Sequence, residues 1–360
     1  MKKNPHKFLI INPFGIGDVL FSTPLVRNIK NAYPLAKIFY LCNRRAEPVI
    51  RNHPLLEKIF IYERDEFENI RRKSKLKWLN KFFKFLGEIK REKIDIVFDL
   101  SLNSQFGFFS WASGIKERLG FDYKKRGRFL THKILIEGFK DKHVIEYYLS
   151  LLKFISIPAS SLSMELFINQ EDRLQAQTFL RKKGVNLKEK YVCVSPGGGE
   201  SFGSQAYRKI WPLDNFSELC RLIEQRLKVK ILIILGPKEA GLGEAFKESE
   251  KTKIISGLSI MQAAAVIEKS SLFISSDNGL LRIANALDKN IITIFGPVDE
   301  KVYSPYPYDL RKHKVIVKDM SCRPCYKKFR LPDCSYGVRC LNEISAEEVF
   351  AQVSSSQDPD

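Results

Sequence analysis

The sequence predicts an α/β protein with two doubly wound parallel-sheet domains that face a central cleft. The first observation is a pattern that occurs twice: a short apolar strand runs directly into a glycine-rich loop, at residues 8–18 and again at residues 191–199. A strand, a tight glycine turn and a helix together open a nucleotide-binding fold. The second observation is size, because 360 residues that are 44% hydrophobic suffice for two cores of ordinary volume.

In the first half, apolar segments of strand length alternate with helical patterns, which is the rhythm of a parallel sheet. The predicted strands are Phe8–Asn12, Lys37–Cys42, Lys58–Tyr62 and Ile94–Leu100. The predicted helices lie near Val19–Ala32, Leu76–Arg91 and Gln105–Ser113. A linking segment runs through Ile168, so the first domain is predicted to comprise residues 1–168.

The second half repeats the same alternation after a helix near Glu171–Lys183. The predicted strands are Tyr191–Ser195, Lys230–Leu235, Lys253–Ile255, Leu272–Ser275 and Ile291–Phe295. The predicted helices lie near Asp214–Arg226, Ile260–Glu268 and Leu280–Leu287. The second domain is therefore predicted over residues 169–353, and the polar residues 354–360 are predicted to form a disordered tail.

The positive charge of the chain is concentrated in its first half. Of the net charge of +19, residues 1–150 hold +14, from 30 Lys and Arg against 16 Asp and Glu. The densest part is the run RRKSKLKW at residues 71–78, followed by FFKF at residues 82–85. Cations interleaved with aromatics suit an anionic lipid surface or a phosphorylated glycolipid, and a solvated basic helix face is the alternative. Nucleic acid is not expected as a partner, because no helix-turn-helix, zinc-finger or RNA-binding motif is present.

The apolar segments of the chain are short. The first, at residues 8–11, ends at Asn12-Pro13, well before the length that a signal-peptide core needs. No later apolar run approaches the roughly 20 residues that a membrane-spanning helix requires. A cytoplasmic location is therefore expected.

Two acidic positions stand next to glycines at the ends of predicted strands. Asp277-Asn278-Gly279 follows an apolar strand and precedes a helix, so its backbone amides are expected at the carboxyl edge of the sheet, where ligands bind. Asp18 follows Gly15 and Gly17 and, from the residues alone, is best interpreted as a helix N-cap. The two glycines leave room for substrate near the backbone, although a tight turn would also explain them.

Six motifs in order resemble those of glycosyltransferase family 9, which contains the ADP-heptose:lipopolysaccharide heptosyltransferases. They are Gly15-Ile-Gly-Asp-Val-Leu-Phe-Ser-Thr-Pro24, Tyr33-Pro34, Lys209-Ile-Trp-Pro212, Gly236-Pro-Lys-Glu239, Ser276-Asp-Asn-Gly279 and Phe295-Gly-Pro297. Each motif alone is weak, but six in the right order are specific. The resemblance covers residues 8 to about 350.

The resemblance implies a GT-B fold of two Rossmann-like domains, with an acceptor-binding N-terminal domain and a nucleotide-sugar-binding C-terminal domain. It implies an inverting single displacement with Asp18 as the base and Lys209 compensating the diphosphate charge. The implied donor and diphosphate site consists of Gly15, Gly17, Ser195, Gly197, Gly198, Lys209, Glu239, Asp277, Asn278, Gly279 and Arg282. For Lys209 an ordinary surface lysine is the alternative, and for Glu239 an exposed pair with Lys238.

The sequence departs from the family pattern after the strand that ends near Ser275. Family members usually have Thr or Ser after the aspartate and a histidine five residues after it, whereas this chain has Asn278 and Arg282. Arginine can bind a diphosphate bidentately, so anion binding survives the change in principle. The departure leaves the identity of the sugar nucleotide open. No Asp-x-Asp motif stands at a matching site, so no divalent metal is expected to be required for turnover.

The seven cysteines fall into two groups. Cys42, Cys193 and Cys220 lie in apolar patterns and are predicted to be buried core residues. Cys322, Cys325, Cys334 and Cys340 form C-x2-C-x8-C-x5-C in a loop, a spacing that fits a structural zinc or iron site, with four free thiols as the alternative. A branch of the resembled family, the autotransporter heptosyltransferases, carries a four-cysteine iron site with a different spacing. The expected role of a metal here is structural and separate from the chemistry.

The leading hypothesis is a peripheral membrane enzyme that transfers heptose or a related sugar from an ADP-sugar to the lipopolysaccharide core or a similar anionic glycolipid at the inner membrane face. A protein acceptor, as in autotransporter heptosylation, is the second hypothesis. The third is a non-catalytic protein that binds nucleotide sugars. The presence of Asp18 and Lys209 speaks against the third hypothesis.

Overall fold

The computed structural model describes residues 6–186, 189–199 and 203–355, which fall into two compact units. Unit 1 comprises the described residues up to Phe139 together with Val144–Phe167. Unit 2 comprises Lys140–His143 and the described residues from Ile168 onward. The boundary at 167/168 lies one residue from the predicted one, but residues 140–143 group with unit 2 instead of unit 1.

Unit 1 is built on a parallel sheet of six strands in the order β3-β2-β1-β4-β5-β6. The strands are β1 Lys7–Ile11, β2 Lys37–Cys42, β3 Leu56–Ile61, β4 Ile96–Asp99, β5 Glu117–Tyr123 and β6 His132–Ile136. The chain extends the sheet from β1 first to one side and then, from β4 onward, to the other. The gap beside β1 and β4 is thus the switch point at which a doubly wound sheet binds its ligands.

The helices of unit 1 are α1 Ile16–Phe21, α2 Thr23–Ala32, α3 Pro48–Arg51, α4 Arg64–Lys73, α5 Lys75–Arg91, α6 Ser104–Ala112 and α7 Val144–Leu149. The single helix predicted over residues 19–32 is two helices that meet at Ser22. Pro24 explains the break, because proline has no amide hydrogen to donate to the carbonyl of Leu20. The Thr23 hydroxyl donates to that carbonyl instead, at 2.8 Å.

Unit 2 repeats the topology with the strand order β12-β11-β10-β7-β8-β9, again with every neighbouring pair parallel. The strands are β7 Tyr191–Ser195, β8 Lys230–Leu235, β9 Thr252–Ser256, β10 Leu272–Ser276, β11 Ile291–Ile294 and β12 His313–Ile316. The switch point of this sheet lies beside β7 and β10. The predicted α/β fold class is confirmed in both units.

The helices of unit 2 are α8 Gln170–Lys182, α9 Leu213–Arg226, α10 Ile260–Lys269, α11 Gly279–Ala286, α12 Glu300–Tyr303, α13 Arg339–Asn342 and α14 Ala346–Ser355, with 3-10 helices at Gly203–Lys209 and Ala240–Ala245. The predicted disordered tail is wrong at its first two residues, because Ser354 and Ser355 end α14. Val349, Phe350 and Val353 are buried in the core and hold this helix in place. The rest of the predicted tail, residues 356–360, lies outside the described residues.

The central strands of both sheets, such as β4, β7, β10 and β11, are buried on both faces, as their continuous apolar sequences require. In unit 1 an aromatic cluster that includes Tyr62, Phe82 and Phe109 fills the space between the sheet and helices α4, α5 and α6. In unit 2 the fully buried Trp211 packs on Phe216 of α9. Within the described ranges, no helix has the length and apolar character to cross a membrane.

Candidate active site

The switch point of unit 2 joins the loop after β7 to the start of α11 through one side chain. The Asn278 side-chain oxygen accepts from the Leu281 amide at 3.0 Å, which makes Asn278 the N-cap of α11. Its Nδ2 donates to the Gly197 carbonyl at 2.8 Å and to the Ser195 hydroxyl at 3.2 Å. A hydroxyl-bearing residue offers one donor and could not make all these contacts. Asn278 therefore keeps the cap and ties two strand ends together.

Three charged side chains form a buried cluster beside this junction. Lys209 Nζ lies 2.6 Å from Asp277 Oδ2, and Arg282 Nη2 contacts Asp277 Oδ1. The side chains of Lys209, Asp277 and Arg282 are only 7%, 7% and 5% exposed. The surface-lysine alternative is thus excluded for Lys209. The cluster holds two cations against one carboxylate, an arrangement suited to an additional anion.

The electrostatics of Asp277 follow from this pairing. Burial by itself would raise the pKa of its carboxyl, but the charges of Lys209 and Arg282 outweigh burial and lower it. Asp277 consequently stays ionised and holds both cations in fixed positions. A neighbouring histidine, His143, is neutral, because burial and then the Arg282 charge lower its pKa to about 3. His143, which no sequence motif singled out, stacks on Tyr306 with ring centroids 4.4 Å apart.

Glu239 orients the glycine loop after β7. Its two carboxylate oxygens accept from the amides of Gly199 and Gly236, each at 3.0 Å. A Cβ at Gly197 would lie 2.1 Å from Glu239 Oε1, and one at Gly198 would lie 3.0 Å from the Ala206 carbonyl, so both positions require glycine. Glu239 is half-buried, and its carboxylate holds the loop through these two backbone amides. Its predicted contact with a nucleoside stays a prediction.

Trp211 fixes the segment that carries Lys209. Its backbone amide donates to the Ser276 hydroxyl at 3.0 Å, and its indole Nε1 donates to the Ile344 carbonyl at 2.9 Å. Ser276 is the last residue of β10, so the segment is anchored to the strand that leads into Asp277. The fully buried indole makes this anchor rigid.

The switch point of unit 1 carries carboxyl groups in a different setting. Helix α1 begins at Ile16 with Gly15 as its N-cap, so the prediction that Asp18 is the N-cap is wrong. Asp18 lies in the first turn, where the helix dipole favours a negative charge. Asp18 Oδ2 and Arg45 Nη2 flank Gly15, at 3.8 and 3.5 Å from the place of a Cβ there. Gly17 is the second residue of the same helix.

Asp99, which the sequence analysis did not single out, ends β4 at the same switch point. Its carboxyl is buried and accepts from the Ser101 amide at 2.9 Å. Burial raises its pKa to about 6, and the hydrogen bonds from Ser101 offset this only in part. An aspartate that directly ends a buried parallel strand was the signal in the sequence that identified Asp277 and could have identified Asp99.

The cysteines divide as expected with one exception: Cys340, predicted in the loop, lies in α13 and is buried in the core of unit 2. Cys42, Cys193 and Cys220 are buried, which confirms them as core residues. Cys322, Cys325, Cys334 and Cys340 line one small pocket of about 20 Å³, together with Arg208 and Arg323. This volume suffices for one water-sized guest. Over the residues that the structure describes, however, no three Cys, His, Asp or Glu side chains stand close enough to hold a metal ion as they are.

The four thiols of this pocket differ in their electrostatic setting. The Val338 amide donates to the Cys334 sulfur at 3.3 Å, and this contact, with a smaller contribution from Arg208, lowers the pKa of Cys334. Burial raises the pKa of Cys340 to about 11. The exposed Cys334 therefore ionises more readily than the buried Cys340.

Two solved structures resemble the whole chain. The first is a family 9 glycosyl transferase from Veillonella parvula, with a TM-score of 0.77 and 20% identity. The match covers 99% of this chain and 98% of that protein. The match to ADP-heptose lipopolysaccharide heptosyltransferase II from Escherichia coli has a TM-score of 0.73 and 18% identity over 97% of this chain and 98% of the other. These likenesses confirm the GT-B fold.

Two further similar structures contain a nucleotide sugar or iron. E. coli heptosyltransferase WaaC was solved with ADP-2-deoxy-2-fluoro heptose, and it matches 97% of this chain and 99% of its own at a TM-score of 0.69 and 19% identity. The iron-containing dodecameric glycosyltransferase TibC from enterotoxigenic E. coli matches 98% of this chain and 76% of its own at a TM-score of 0.58 and 12% identity. Both are similar to this chain in fold.

Sequence comparison identifies the family of the chain more directly than the fold does. The lipopolysaccharide core heptosyltransferase OpsX of Haemophilus influenzae is 20% identical over 364 aligned residues, with 97% of this chain and 96% of that protein covered. Residues 82–334 match the family described as glycosyltransferase family 9 (heptosyltransferase), which is well over half of the chain. The protein is therefore a glycosyltransferase and belongs to glycosyltransferase family 9.

Proposed function

We propose that the enzyme transfers heptose or a related sugar from an ADP-linked donor to the lipopolysaccharide core or a similar anionic glycolipid, with inversion at the anomeric carbon. The observation that carries the proposal is the buried cluster of Lys209, Asp277 and Arg282 at the switch point of unit 2. The names of the relatives, which are lipopolysaccharide heptosyltransferases, support the sugar and the acceptor.

In this proposal the donor diphosphate binds beside Lys209 and Arg282. Asp277 holds the two cations in position, and the net positive charge of the cluster offsets the negative charge that develops on the departing diphosphate. Gly197 and Gly198 let Glu239 and the segment that carries Lys209 pack directly on the loop backbone, and Glu239 keeps that loop in shape. Because protein cations supply the charge compensation, we expect turnover without added divalent metal.

Asp18 is the proposed base. Its carboxylate accepts the proton of the acceptor hydroxyl while that oxygen bonds to the anomeric carbon and the bond from this carbon to the diphosphate oxygen breaks. The products are the glycosylated acceptor and ADP. Asp18 flanks Gly15 together with Arg45, at the start of α1.

A donor and acceptor screen tests the proposal. Purified protein is incubated with ADP-heptose, ADP-glucose, UDP-glucose or GDP-mannose and with either a defined lipopolysaccharide core or an unfolded autotransporter passenger, and the products are analysed by mass spectrometry. We expect one heptosyl unit to be added to the core from ADP-heptose, with the inverted anomer seen by NMR. Transfer to the passenger alone would favour the protein-acceptor hypothesis. ADP binding without any transfer would favour the non-catalytic one.

We also propose that unit 1 docks on the anionic inner face of a membrane through α4 and α5, which makes the enzyme a peripheral protein on the cytoplasmic side. Leu76 and Phe83, on the outer face of α5, are 78% and 63% exposed. Exposed Lys75, Lys77 and Lys84 surround them. An apolar stripe flanked by lysines is the pattern of a helix that lies in a lipid interface.

Vesicle binding tests this surface. Neutralising Arg71, Arg72, Lys73, Lys75 and Lys77 should weaken binding to phosphatidylglycerol vesicles, because each cation near such a surface contributes about 1 kcal/mol. The matched control neutralises five exposed cations of unit 2: Arg181, Lys182, Lys183, Lys228 and Lys247. Equal binding of the two variants, or binding that is insensitive to salt, would contradict the docking surface.

We further propose that the four-cysteine loop binds one structural zinc or iron ion. The four sulfur ligands line a single pocket of suitable size, and the two arginines beside them would offset the negative charge of a tetrathiolate site. Binding requires the sulfurs to draw together from their present separations. Elemental analysis of protein purified without added metal should give one ion per chain, lost in Cys325→Ser and retained in Lys327→Ala. A metal-free wild type would contradict this proposal.

A further inference from the structure

The adjacent residues Arg208 and Lys209 end one short 3-10 helix, but their side chains contact different parts of unit 2. Lys209 reaches Asp277 at the candidate donor site. Arg208 lines the four-cysteine pocket, although it is only 3% exposed. Its Nε has no hydrogen-bond partner within the described part of the chain. Because buried groups are closely packed, a shift of the loop that forms the rest of the pocket wall also shifts Arg208.

The opposite side of the four-cysteine loop is fastened to the carboxyl edge of the same sheet. The amides of Cys325 and Tyr326 both donate to the Pro297 carbonyl at 3.0 Å, and Arg323 Nε donates to the Gly296 carbonyl at 2.6 Å. Gly296 also packs closely on Leu341 of α13, since a Cβ at position 296 would lie 2.7 Å from that side chain. Gly296 follows β11, the strand next to β10. The loop is thus attached to the donor edge on one side and to Arg208 on the other.

We propose that Arg208 is a positioning residue, through which the four-cysteine loop holds Lys209 against Asp277 and so sets the affinity for the donor nucleotide. Arg208 and Lys209 share one turn of backbone, and Trp211 anchors that turn on its C-terminal side. A displacement of the loop moves Arg208 and, through the backbone that the two residues share, Lys209. The loop then contributes to the affinity of the donor site in addition to its proposed structural role.

This inference deepens the proposed function, because its main readout is the affinity for ADP. Calorimetry with ADP compares the wild type with Arg208→Met, which removes the charge at similar length, and with Arg208→Lys, which keeps it. We expect Arg208→Met to weaken ADP binding about fivefold or more and Arg208→Lys to stay near the wild type. Cys334→Ser should weaken it in the same direction, whereas Lys327→Ala, in the same loop, should not. Unchanged affinity in both Arg208→Met and Cys334→Ser would overturn the inference.

A second readout separates this inference from the donor assignment. Amide hydrogen exchange of residues 205–211 should be several-fold faster in Cys334→Ser than in the wild type, with or without nucleotide. Unchanged exchange there would overturn the coupling even if ADP binds. If the wild type does not bind ADP but exchange in this segment still responds to Cys334→Ser, the coupling stands and the proposed donor is wrong. Circular dichroism of each variant confirms that the protein has folded.

Discussion

The switch points of the two units share one topology but differ in the charged groups that surround a buried aspartate. Asp99 ends β4 of unit 1, and burial raises the pKa of its carboxyl to about 6. Asp277 follows β10 of unit 2 at the corresponding place, and Lys209 and Arg282 lower its pKa in spite of burial. The difference lies in the countercharges that the rest of each unit brings to the strand end.

This difference indicates the chemistry that each edge can support. An edge with two buried cations around one carboxylate suits an anion, such as the diphosphate of the proposed donor. An edge with carboxyl groups at Asp18 and Asp99 suits proton transfer. A strand-end aspartate is therefore a guide to where a site lies, and its charged neighbours decide what the site does.

The largest expected effect is on the cluster of unit 2. Asp277→Asn leaves Lys209 and Arg282 buried without their countercharge, so we expect the free energy of unfolding at pH 7 to fall by about 3–5 kcal/mol. Urea denaturation measures the change. Asp288→Asn, which removes an exposed partner of Lys312, is the control and should cost less than about 1 kcal/mol. Equal losses in the two variants would mean that the buried cluster has no special electrostatic role.

The next effect concerns Asp99 and depends on pH. Its folded pKa of about 6 lies above the ordinary 3.8, so ionisation disfavours the folded state. Stability from the neutral carboxyl is complete below about pH 4 and is lost as the pH rises through 6. The unfolding free energy of the wild type relative to Asp99→Asn should thus fall by about 2 kcal/mol between pH 4 and pH 7. If the difference in unfolding free energy between the wild type and Asp99→Asn does not vary with pH, the pKa of Asp99 is not raised and the two aspartates do not differ in this way.

The third prediction tests the base in unit 1. Asp18→Asn keeps the size of the side chain but cannot accept the proton, so we expect kcat to fall by about 100-fold while folding persists. Steady-state kinetics with ADP-heptose and a core acceptor gives the rate, and thermal unfolding gives the stability. Asp65→Asn, an exposed aspartate in the first turn of α4, is the matched control. Near-normal turnover in Asp18→Asn would exclude Asp18 as the base.

The smallest expected effect sharpens the assignment of the cationic edge. Lys209→Ala removes one of the two cations, and we expect the affinity for ADP to fall about tenfold because a charge-assisted contact to the diphosphate is lost. Calorimetry provides the measurement, with the exposed Lys269→Ala as control. If ADP binds Lys209→Ala as tightly as the wild type, the diphosphate does not bind at this cluster.

Most of the fold was predictable because its signals are local. β2, β7 and β8 were predicted with the bounds that the structure shows, since each is a continuous apolar run next to a turn. β5 and β6 were missed because charged residues interrupt their apolar pattern. Cross-strand partners satisfy these charges: Lys133 pairs with Asp122 at 2.7 Å, and His132 Nε2 lies 3.1 Å from Glu117.

The candidate site was predictable in its members but not in their roles. Ser195, Gly197, Lys209, Asp277, Asn278 and Arg282 were chosen from motifs, and the structure brings them together at one switch point. Asp18 was misjudged as an N-cap because the start of α1 depends on Gly15, a residue that side-chain capping rules do not single out. His143 and Asp99 were absent from the prediction.

The sequence by itself determined the two doubly wound units, the positions of the glycine loops and the family, because apolar periodicity and ordered motifs are properties of neighbouring residues. Only the tertiary structure decided that Lys209 is buried against Asp277, that Glu239 holds the glycine loop and that Arg208 faces the four-cysteine pocket. These facts depend on pairs of residues far apart in the chain. Burial strengthens the interaction of such pairs, so the charge and hydrogen-bond partners that folding supplies set the role of each side chain.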